Sequence, residues 1–133
     1  MSRVLVVDDD RAIRELLACA LEYEDYTVTT LPDGSQVLAA LDAAVEPCVV
    51  LMDLMMPRMD GWDVCRALSA RPDLLQRHPV VLMSAGSQQE REIPGEARAF
   101  IHKPFDLDEL YRLLASLTHA PLGIHVAVAA CAT

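Results

Sequence analysis

The sequence predicts an α/β fold in which a doubly wound, five-stranded parallel sheet carries helices on both faces. Short apolar segments alternate along the chain with segments whose apolar residues recur at helical spacing. The short segments are apolar over nearly their whole length, as strands covered on both faces are. With 133 residues, 53% of them hydrophobic, the chain has enough material for one domain with a sizeable core.

Five segments are predicted to be strands because they are short, apolar and rich in β-branched residues. They comprise residues 4–7, 26–30, 48–52, 80–83 and a weaker segment at 99–101. Between the first two, residues 11–24 have apolar positions at i, i+3, i+4, i+7 and i+8, which is one face of a helix.

Three further helices are predicted from the same spacing. One begins after the turn signal Pro32-Asp33-Gly34, and another follows Asp60-Gly61. The last carries leucines from Leu107 to Leu117 behind Asp106, which suits an N-cap. One more helix is expected between the fourth and fifth strands, and it is the fourth helix in chain order. It should be short or distorted because Pro94-Gly95 interrupts it.

The composition excludes several classes of function. Against 11 Lys+Arg the chain has 20 Asp+Glu, a net charge of -9, which disfavours binding to nucleic acid or an anionic membrane. No apolar run approaches the roughly 20 residues of a membrane span. The four cysteines lack zinc-ligand or Cys-x-x-Cys spacing. We therefore expect a cytoplasmic protein with reduced thiols.

Polar residues follow four of the five predicted strands. Because the carboxyl ends of parallel strands meet at one edge of a sheet, these side chains should lie close together. They are the run Asp8-Asp9-Asp10 after the first strand, Asp53 after the third, Ser84 after the fourth and Lys103 after the fifth.

This set of side chains favours phosphoryl chemistry. Neighbouring carboxylates repel one another, and oxygen ligands without His or Cys favour Mg²⁺ as the ion that relieves the repulsion. Lys103 adds a positive charge and Ser84 a hydrogen-bond donor. A carboxylate beside Mg²⁺ and a lysine can attack phosphorus and form an acyl phosphate. The residues therefore predict aspartyl phosphate chemistry.

Taken one at a time, these residues also have structural explanations. Asp10 is interpreted as a helix N-cap, Asp8 and Asp9 suit a solvated turn, Ser84 a turn hydroxyl and Lys103 a surface charge. A phosphoryl-transfer site is favoured because all of these residues lie at one edge of the sheet although they follow four different strands. Trp62 and the methionines nearby are interpreted as packing residues. The four histidines share no spacing and are interpreted as structural.

Four motifs in order resemble a bacterial two-component response-regulator receiver domain of the stand-alone, single-domain type. The similarity runs from about Arg3 to Leu117 and implies a flavodoxin-like fold. The motifs are Val4-Leu5-Val6-Val7-Asp8-Asp9-Asp10, Asp53-Leu54-Met55-Met56-Pro57-Arg58-Met59-Asp60-Gly61, Met83-Ser84-Ala85 and Lys103-Pro104-Phe105.

The resemblance implies a phosphoacceptor rather than a classical enzyme. Asp53 would accept the phosphoryl group from a sensor histidine kinase or a phosphotransfer protein. Mg²⁺, for which Mn²⁺ could substitute, would be held by Asp8, Asp9, Asp53 and the backbone carbonyl of Met55. Self-phosphorylation and autodephosphorylation would be the only activities of the chain itself.

The resemblance also implies a conformational switch. Lys103 would pair with the phosphoryl oxygens, ahead of a cis peptide bond to Pro104. Ser84 would move toward the phosphoryl group, and Phe100 would turn inward. These movements would reshape the surface of the fourth helix, fifth strand and fifth helix, biasing a two-state equilibrium that a partner protein reads.

The predicted domain covers residues 1–119, followed by a tail at 120–133 without Asp, Glu, Lys or Arg. The tail is interpreted either as a frayed terminus or as an ordered segment. An ordered tail would cover the signalling surface in its own chain or in a homodimer. No output domain is expected after it, so the output should be a protein contact or onward phosphotransfer.

Two other functions stay open at this point. A haloacid-dehalogenase-like phosphatase would use Asp8 as its nucleophile, with Ser84 and Lys103 in supporting roles. A binding module with a receiver fold would act without phosphorylation. The residue that carries a trapped acyl phosphate distinguishes the first of these from the receiver.

Overall fold

The fold is a five-stranded parallel sheet between two layers of helices. The computed structural model describes residues 2–85 and 93–118. Its strands occur in the order β2-β1-β3-β4-β5, and every neighbouring pair is parallel. Their bounds are β1 (Arg3–Val7), β2 (Thr27–Leu31), β3 (Cys48–Asp53), β4 (Val80–Ser84) and β5 (Ala99–His102). All five predicted strands are confirmed, with ends displaced by a residue or so.

Five helices cover the sheet within the described residues. They are α1 (Arg11–Tyr23), α2 (Val37–Ala43), α3 (Gly61–Ser69), α4 (Pro72–Arg77) and α5 (Leu107–Thr118), with a short 3-10 turn at Gly34–Gln36 before α2. Helices α1 and α5 pack on one face of the sheet, and α2, α3 and α4 pack on the other. The doubly wound arrangement is therefore confirmed.

The alternation of side chains along each strand divides the core in two. In β1, Leu5 and Val7 face one helical layer, while Val4 and Val6 face the other. The strands β3 and β4 alternate in the same way, so their residues after Cys48 are buried whichever face they occupy. This explains why these segments are apolar throughout rather than at every second position.

Helix α4 was not predicted from the sequence. It has six residues and one buried leucine, Leu74, which is too little for helical spacing to be recognised. The available signal was Pro72 at the start of the helix, followed by Asp73 in the first turn.

The helix expected between β4 and β5 falls largely on residues 86–92, which lie outside the described residues. Within the described part of this connection, the Ala97 N–H donates to the Pro94 carbonyl at 3.1 Å and closes a turn. The Pro94-Gly95 interruption thus coincides with a turn. Among the described residues, none of the helices is long and apolar enough to cross a bilayer.

Candidate functional site

Three carboxylates meet at the carboxyl edge of the sheet. Asp8 and Asp9 follow β1, and Asp53 is the last residue of β3, directly beside it in the sheet. One oxygen from each of the three side chains lies within 4.8 Å of the others. Asp8 has no exposed surface and Asp53 is 8% exposed, whereas Asp9 is open to solvent. The predicted cluster of carboxylates is therefore assembled by the fold.

Lys103 connects two of these carboxylates. Its Nζ donates to Asp8 Oδ2 at 2.8 Å and to Asp53 Oδ2 at 3.0 Å. The backbone positions this side chain, because the Lys103 N–H donates to the Ser84 carbonyl at 2.8 Å and extends the pairing of β4 with β5. The peptide bond between Lys103 and Pro104 is cis, as expected.

The electrostatics of the pair depend on burial and on the hydrogen bonds. Burial raises the pKa of Asp53, against the opposing effects of the Met55 N–H and the Lys103 ammonium. For Lys103, burial acts to lower the pKa, but the hydrogen bonds and charges of Asp8 and Asp53 outweigh it and the pKa is raised. Lys103 is therefore held as a cation between two acidic residues.

Hydrogen bonds hold both the side chain and the backbone of Asp8 in place. Its Oδ1 accepts from the Asp10 N–H at 2.9 Å, and its own N–H donates to the Leu31 carbonyl at 3.2 Å. Arg14 Nη1 donates to the Asp8 carbonyl at 2.8 Å. The sequence analysis did not predict a role for Arg14. Its position one helical turn after Asp10 places it within reach of the acidic loop and could have indicated this contact.

Asp10 has the structural role predicted for it. Its side chain accepts from the N–H groups of Ala12 and Ile13, so it is the N-cap of α1. The capping interaction turns its carboxylate toward the helix rather than toward Asp53. It is therefore absent from the carboxylate cluster.

The loop after Asp53 is held at both ends. Asp53 Oδ1 accepts from the Met55 N–H at 3.1 Å, which fixes the carboxylate and places Met55 next to the site. Farther along, the Gly34 N–H donates to the Met59 carbonyl at 3.0 Å, and Arg58 Nε donates to Asp33 Oδ2 at 3.1 Å. Two contacts from the β2–α2 connection therefore position this loop, and neither was predicted.

The two residues predicted to switch lie near the site at different depths. Ser84 is fully buried at the end of β4. Phe100 is half-buried in β5, packs beside the core under α2, α3 and α4, and meets the His102 ring edge-on with centroids 4.9 Å apart. The contact between Phe100 and His102 was not predicted.

The site has the chemistry of a hard-cation site. Three carboxylates with no thiolate or imidazole among the clustered ligands suit Mg²⁺, which keeps several waters and needs few protein ligands. Asp8, Asp9 and Asp53 would hold the ion, with the backbone carbonyl of Met55 as a further ligand. The ion would further relieve the repulsion between the carboxylates, which the contacts of Lys103 with Asp8 and Asp53 offset in part.

Comparison with known proteins places this geometry in a family. The family model described as response regulator receiver domain matches residues 4–115. Response regulators MprA of Mycolicibacterium vanbaalenii and of Mycobacterium ulcerans are each 38% identical over 118 residues, 86% of this chain and 49% of theirs. The chain thus spans about half the length of these relatives.

Solved structures are similar over almost the whole chain. A CheY-like receiver domain from Methanospirillum hungatei has a TM-score of 0.77 and 29% identity, covering 89% of this chain and 94% of that one. Response regulator TrrA from Thermotoga maritima, solved in complex with Mg²⁺-BeF, has a TM-score of 0.76 and 28% identity, covering 88% and 99%.

A third solved structure holds a metal. The receiver domain of a sensor histidine kinase from Pseudomonas aeruginosa, with a magnesium ion coordinated in its active site cleft, has a TM-score of 0.76 and 26% identity. It covers 86% of this chain and 94% of that one. From the family match, the shared fold and the acidic edge of the sheet together, the chain belongs to the response regulator receiver domain family.

Proposed function

We propose that Asp53 accepts a phosphoryl group from the phosphohistidine of a sensor histidine kinase or phosphotransfer protein, in the cytoplasm. The observation that carries this proposal is the contact of Lys103 Nζ with both Asp8 and Asp53 inside a cluster of three carboxylates. A nucleophilic carboxylate, a cation for the phosphoryl oxygens and a set of metal ligands are thereby within one small site.

The transfer exchanges one bond to phosphorus for another. An Asp53 carboxylate oxygen forms a P–O bond while the P–N bond to the donor's histidine breaks, and the electron pair stays with the imidazole nitrogen. The Met55 N–H orients Asp53 through Oδ1. Lys103 shifts its hydrogen bond from Oδ2 to an oxygen of the phosphoryl group, whose charge it offsets.

Asp53 suits the role of nucleophile better than Asp8 does. Asp8 has no exposed surface, so its carboxylate is not open to an incoming phosphoryl group. Asp53 keeps 11% of its side-chain surface open to solvent. This favours the receiver chemistry over a phosphatase with an Asp8 nucleophile.

The metal of this proposal is Mg²⁺, and Mn²⁺ is expected to replace it. Both ions accept octahedral oxygen coordination. When bound by Asp8, Asp9 and Asp53, the ion would neutralise charge around Asp53, so that a negatively charged phosphoryl group could approach. Phosphorylation should therefore require a divalent cation.

A single experiment tests the assignment. The protein is incubated with a small phosphodonor, phosphoramidate, and Mg²⁺, and the phosphorylated residue is identified by mass spectrometry. We expect one added phosphoryl group on Asp53, lost in Asp53→Ala and without Mg²⁺. Phosphorylation on Asp8 would establish the phosphatase-like chemistry, and none at all would favour the phosphorylation-independent binding module.

The phosphodonor protein is proposed to dock on an apolar groove beside the site. Ile13 and Leu16 of α1 line a cavity of about 330 Å³ together with Pro104, Phe105 and Lys103. Leu16 is 59% exposed, unusual for a leucine that helical spacing places on the core face. Because Lys103 lies in both the groove and the site, a protein that brings phosphohistidine to Asp53 covers this groove.

Two phosphodonors test the groove. We expect Leu16→Glu to abolish or strongly slow phosphorylation by a partner phosphotransfer protein and to leave phosphorylation by phosphoramidate unchanged. The matched control is Val45→Glu, at an apolar residue that is 89% exposed and outside the groove. Equal rates for Leu16→Glu and Val45→Glu with the protein donor would refute this docking surface.

The output is proposed to follow from movements of Ser84 and Phe100 that a partner protein detects. The Ser84 carbonyl accepts from the Lys103 N–H, and Phe100 lies in β5 three residues before Lys103, which supports a coupling between the phosphoryl group and the β4–β5 surface. Residues 120–133, which as an ordered tail would cover the signalling surface, lie outside the described ranges. Hydrogen exchange at 122–130 separates the two alternatives. Protection that falls on phosphorylation would support an ordered, inhibitory tail, and exchange at random-coil rates would identify a frayed terminus.

A further inference from the structure

A cavity of about 410 Å³ lies at the opposite edge of the sheet from the carboxylates. Its walls come from the starts of β1 and β3, the residues before β4 and β5, and the ends of α4 and α5. Neither the phosphoacceptor chemistry nor the docking groove uses it. The residues that line it differ in charge from the rest of this acidic chain.

Three guanidinium groups line this cavity and come from separate parts of the chain. They belong to Arg3 at the start of β1, Arg77 at the end of α4 and Arg98 just before β5. Glu46 is the one acidic residue among the described residues of the lining, which leaves these with a formal excess of two positive charges. In a chain of net charge -9, positive charge is concentrated here.

The existing contacts leave donors available. Arg3 Nε donates to Glu46 at 2.9 Å, and Arg77 donates to the Val45 carbonyl. No described residue forms an ion pair or hydrogen bond with the guanidinium of Arg98. Each guanidinium has five N–H donors in a fixed plane, so an oxyanion could bind across the mouth of the cavity without displacing these contacts.

The thiol of Cys48 lines the cavity, and the charges of Arg3 and Arg77 affect its pKa. Burial raises the pKa of Cys48, while the charges of Arg3 and Arg77 act in the opposite direction. Both guanidinium groups are therefore close enough to act on the first residue of β3. Two of the three arginines of the cavity therefore act on Cys48, which lines the same cavity.

We propose that this cavity binds a small multivalent oxyanion, a phosphate or a polycarboxylate, through Arg3, Arg77 and Arg98. The strands β1, β3 and β5 run from this cavity to Asp8, Asp53 and Lys103 respectively. Over five residue steps of β3 the two sites are roughly 17 Å apart. The anion therefore binds at the far ends of the three strands that carry the phosphoacceptor site.

Amide NMR on the full chain tests the proposal. Inorganic phosphate and citrate are titrated separately, without Mg²⁺ and at constant ionic strength, and chloride serves as the monovalent comparison. We expect saturable shifts at Cys48, Arg98 and Thr118 for the multivalent anions, with millimolar affinity. A shift for phosphate alone would identify a phosphate ligand, and shifts for both would identify a site for polyanions in general.

Arginine variants test whether the anion binds in this cavity. Arg98→Ala should weaken binding by roughly five- to tenfold, because one charge-assisted contact is lost from an exposed site. The matched control is Arg112→Ala, an exposed arginine of α5 that does not line the cavity. Equal affinities in the two variants, the absence of saturation, or shifts confined to Asp53 and Lys103 would overturn the proposal.

Discussion

Arg14 donates a charge-assisted hydrogen bond to the backbone carbonyl of Asp8, a residue with no exposed surface. Removing the guanidinium leaves that carbonyl without this donor. We expect Arg14→Met to lower the free energy of unfolding by about 1–2 kcal/mol, measured by urea denaturation without metal.

Arg112→Met is the matched control for Arg14, since Arg112 is an exposed arginine on α5. It should change stability by less than about 0.5 kcal/mol. If both variants unfold at the same urea concentration, the hydrogen bond to Asp8 contributes nothing measurable and Arg14 is a surface charge.

His78 should make stability depend on pH. Its Nδ1 accepts from the Cys48 N–H at 3.1 Å, and its buried Nε2 makes no hydrogen bond to any described residue. Burial, followed by the charge of Arg77, lowers the pKa of His78 below its usual 6.5. The unfolded chain therefore binds a proton more readily than the folded one.

The sign of the effect follows from that difference. As pH falls below 6.5 the free energy of unfolding should decrease until the folded-state pKa is reached, and above 6.5 His78 should have no effect. His78→Asn, which keeps an acceptor for the Cys48 N–H, should remove this part of the pH dependence. Parallel pH profiles for wild type and variant would contradict the assignment.

At the scale of elements, Gly61 lets α3 begin against β3. A Cβ at this position would lie 2.9 Å from Leu54 Cα and 3.0 Å from the Asp53 carbonyl oxygen, and backbone atoms there cannot move aside cheaply. We expect Gly61→Ala to cost about 1–3 kcal/mol of stability and to weaken Mg²⁺ binding by displacing Asp53.

Thermal unfolding and a calorimetric Mg²⁺ titration measure the two effects of Gly61→Ala. Gly95→Ala is the matched control, because a Cβ at Gly95 would have nothing within 4 Å. An unchanged melting temperature and Mg²⁺ affinity in Gly61→Ala would mean that the start of α3 moves freely relative to Asp53.

The elements that could be predicted were those with enough residues to show a period. Helix α1 repeats its apolar face over 13 residues, and β1, β3 and β4 each contain a continuous apolar run. Helix α4 has six residues, so its position depends on packing of Leu74 into the core rather than on local spacing. Contacts such as that of Arg58 with Asp33 join distant loops and leave no local pattern.

At the scale of the whole molecule, Mg²⁺ should raise thermal stability. The ion binds the assembled carboxylates of Asp8, Asp9 and Asp53, which an unfolded chain does not bring together. At a Mg²⁺ concentration 100 times the dissociation constant, the gain is about 2.7 kcal/mol. A melting scan with and without Mg²⁺ measures it.

The variants Asp9→Ala and Asp53→Ala should each diminish this Mg²⁺-dependent shift. Asp106→Ala is the matched control, because Asp106 belongs to the start of α5 and not to the carboxylate cluster. An undiminished shift in both site variants would place the Mg²⁺ elsewhere on the molecule.

The carboxylates of the site were predictable because topology alone brings strand ends together. A parallel sheet in the order β2-β1-β3-β4-β5 places the end of β1 beside the end of β3. The path of Lys103 to both acids depends instead on the backbone after β5, where the Lys103 N–H donates to the Ser84 carbonyl. Such details of side-chain geometry have no signature in spacing.

The ammonium of Lys103, between Asp8 and Asp53, belongs to the single lysine among the 133 residues, since the ten other basic side chains are arginines. Reductive methylation with isotope-labelled formaldehyde would consequently place one side-chain label in the protein, at the phosphoacceptor site. Dimethylation keeps the positive charge, so the label would report, as one NMR resonance, when the amine leaves the carboxylates for a phosphoryl group.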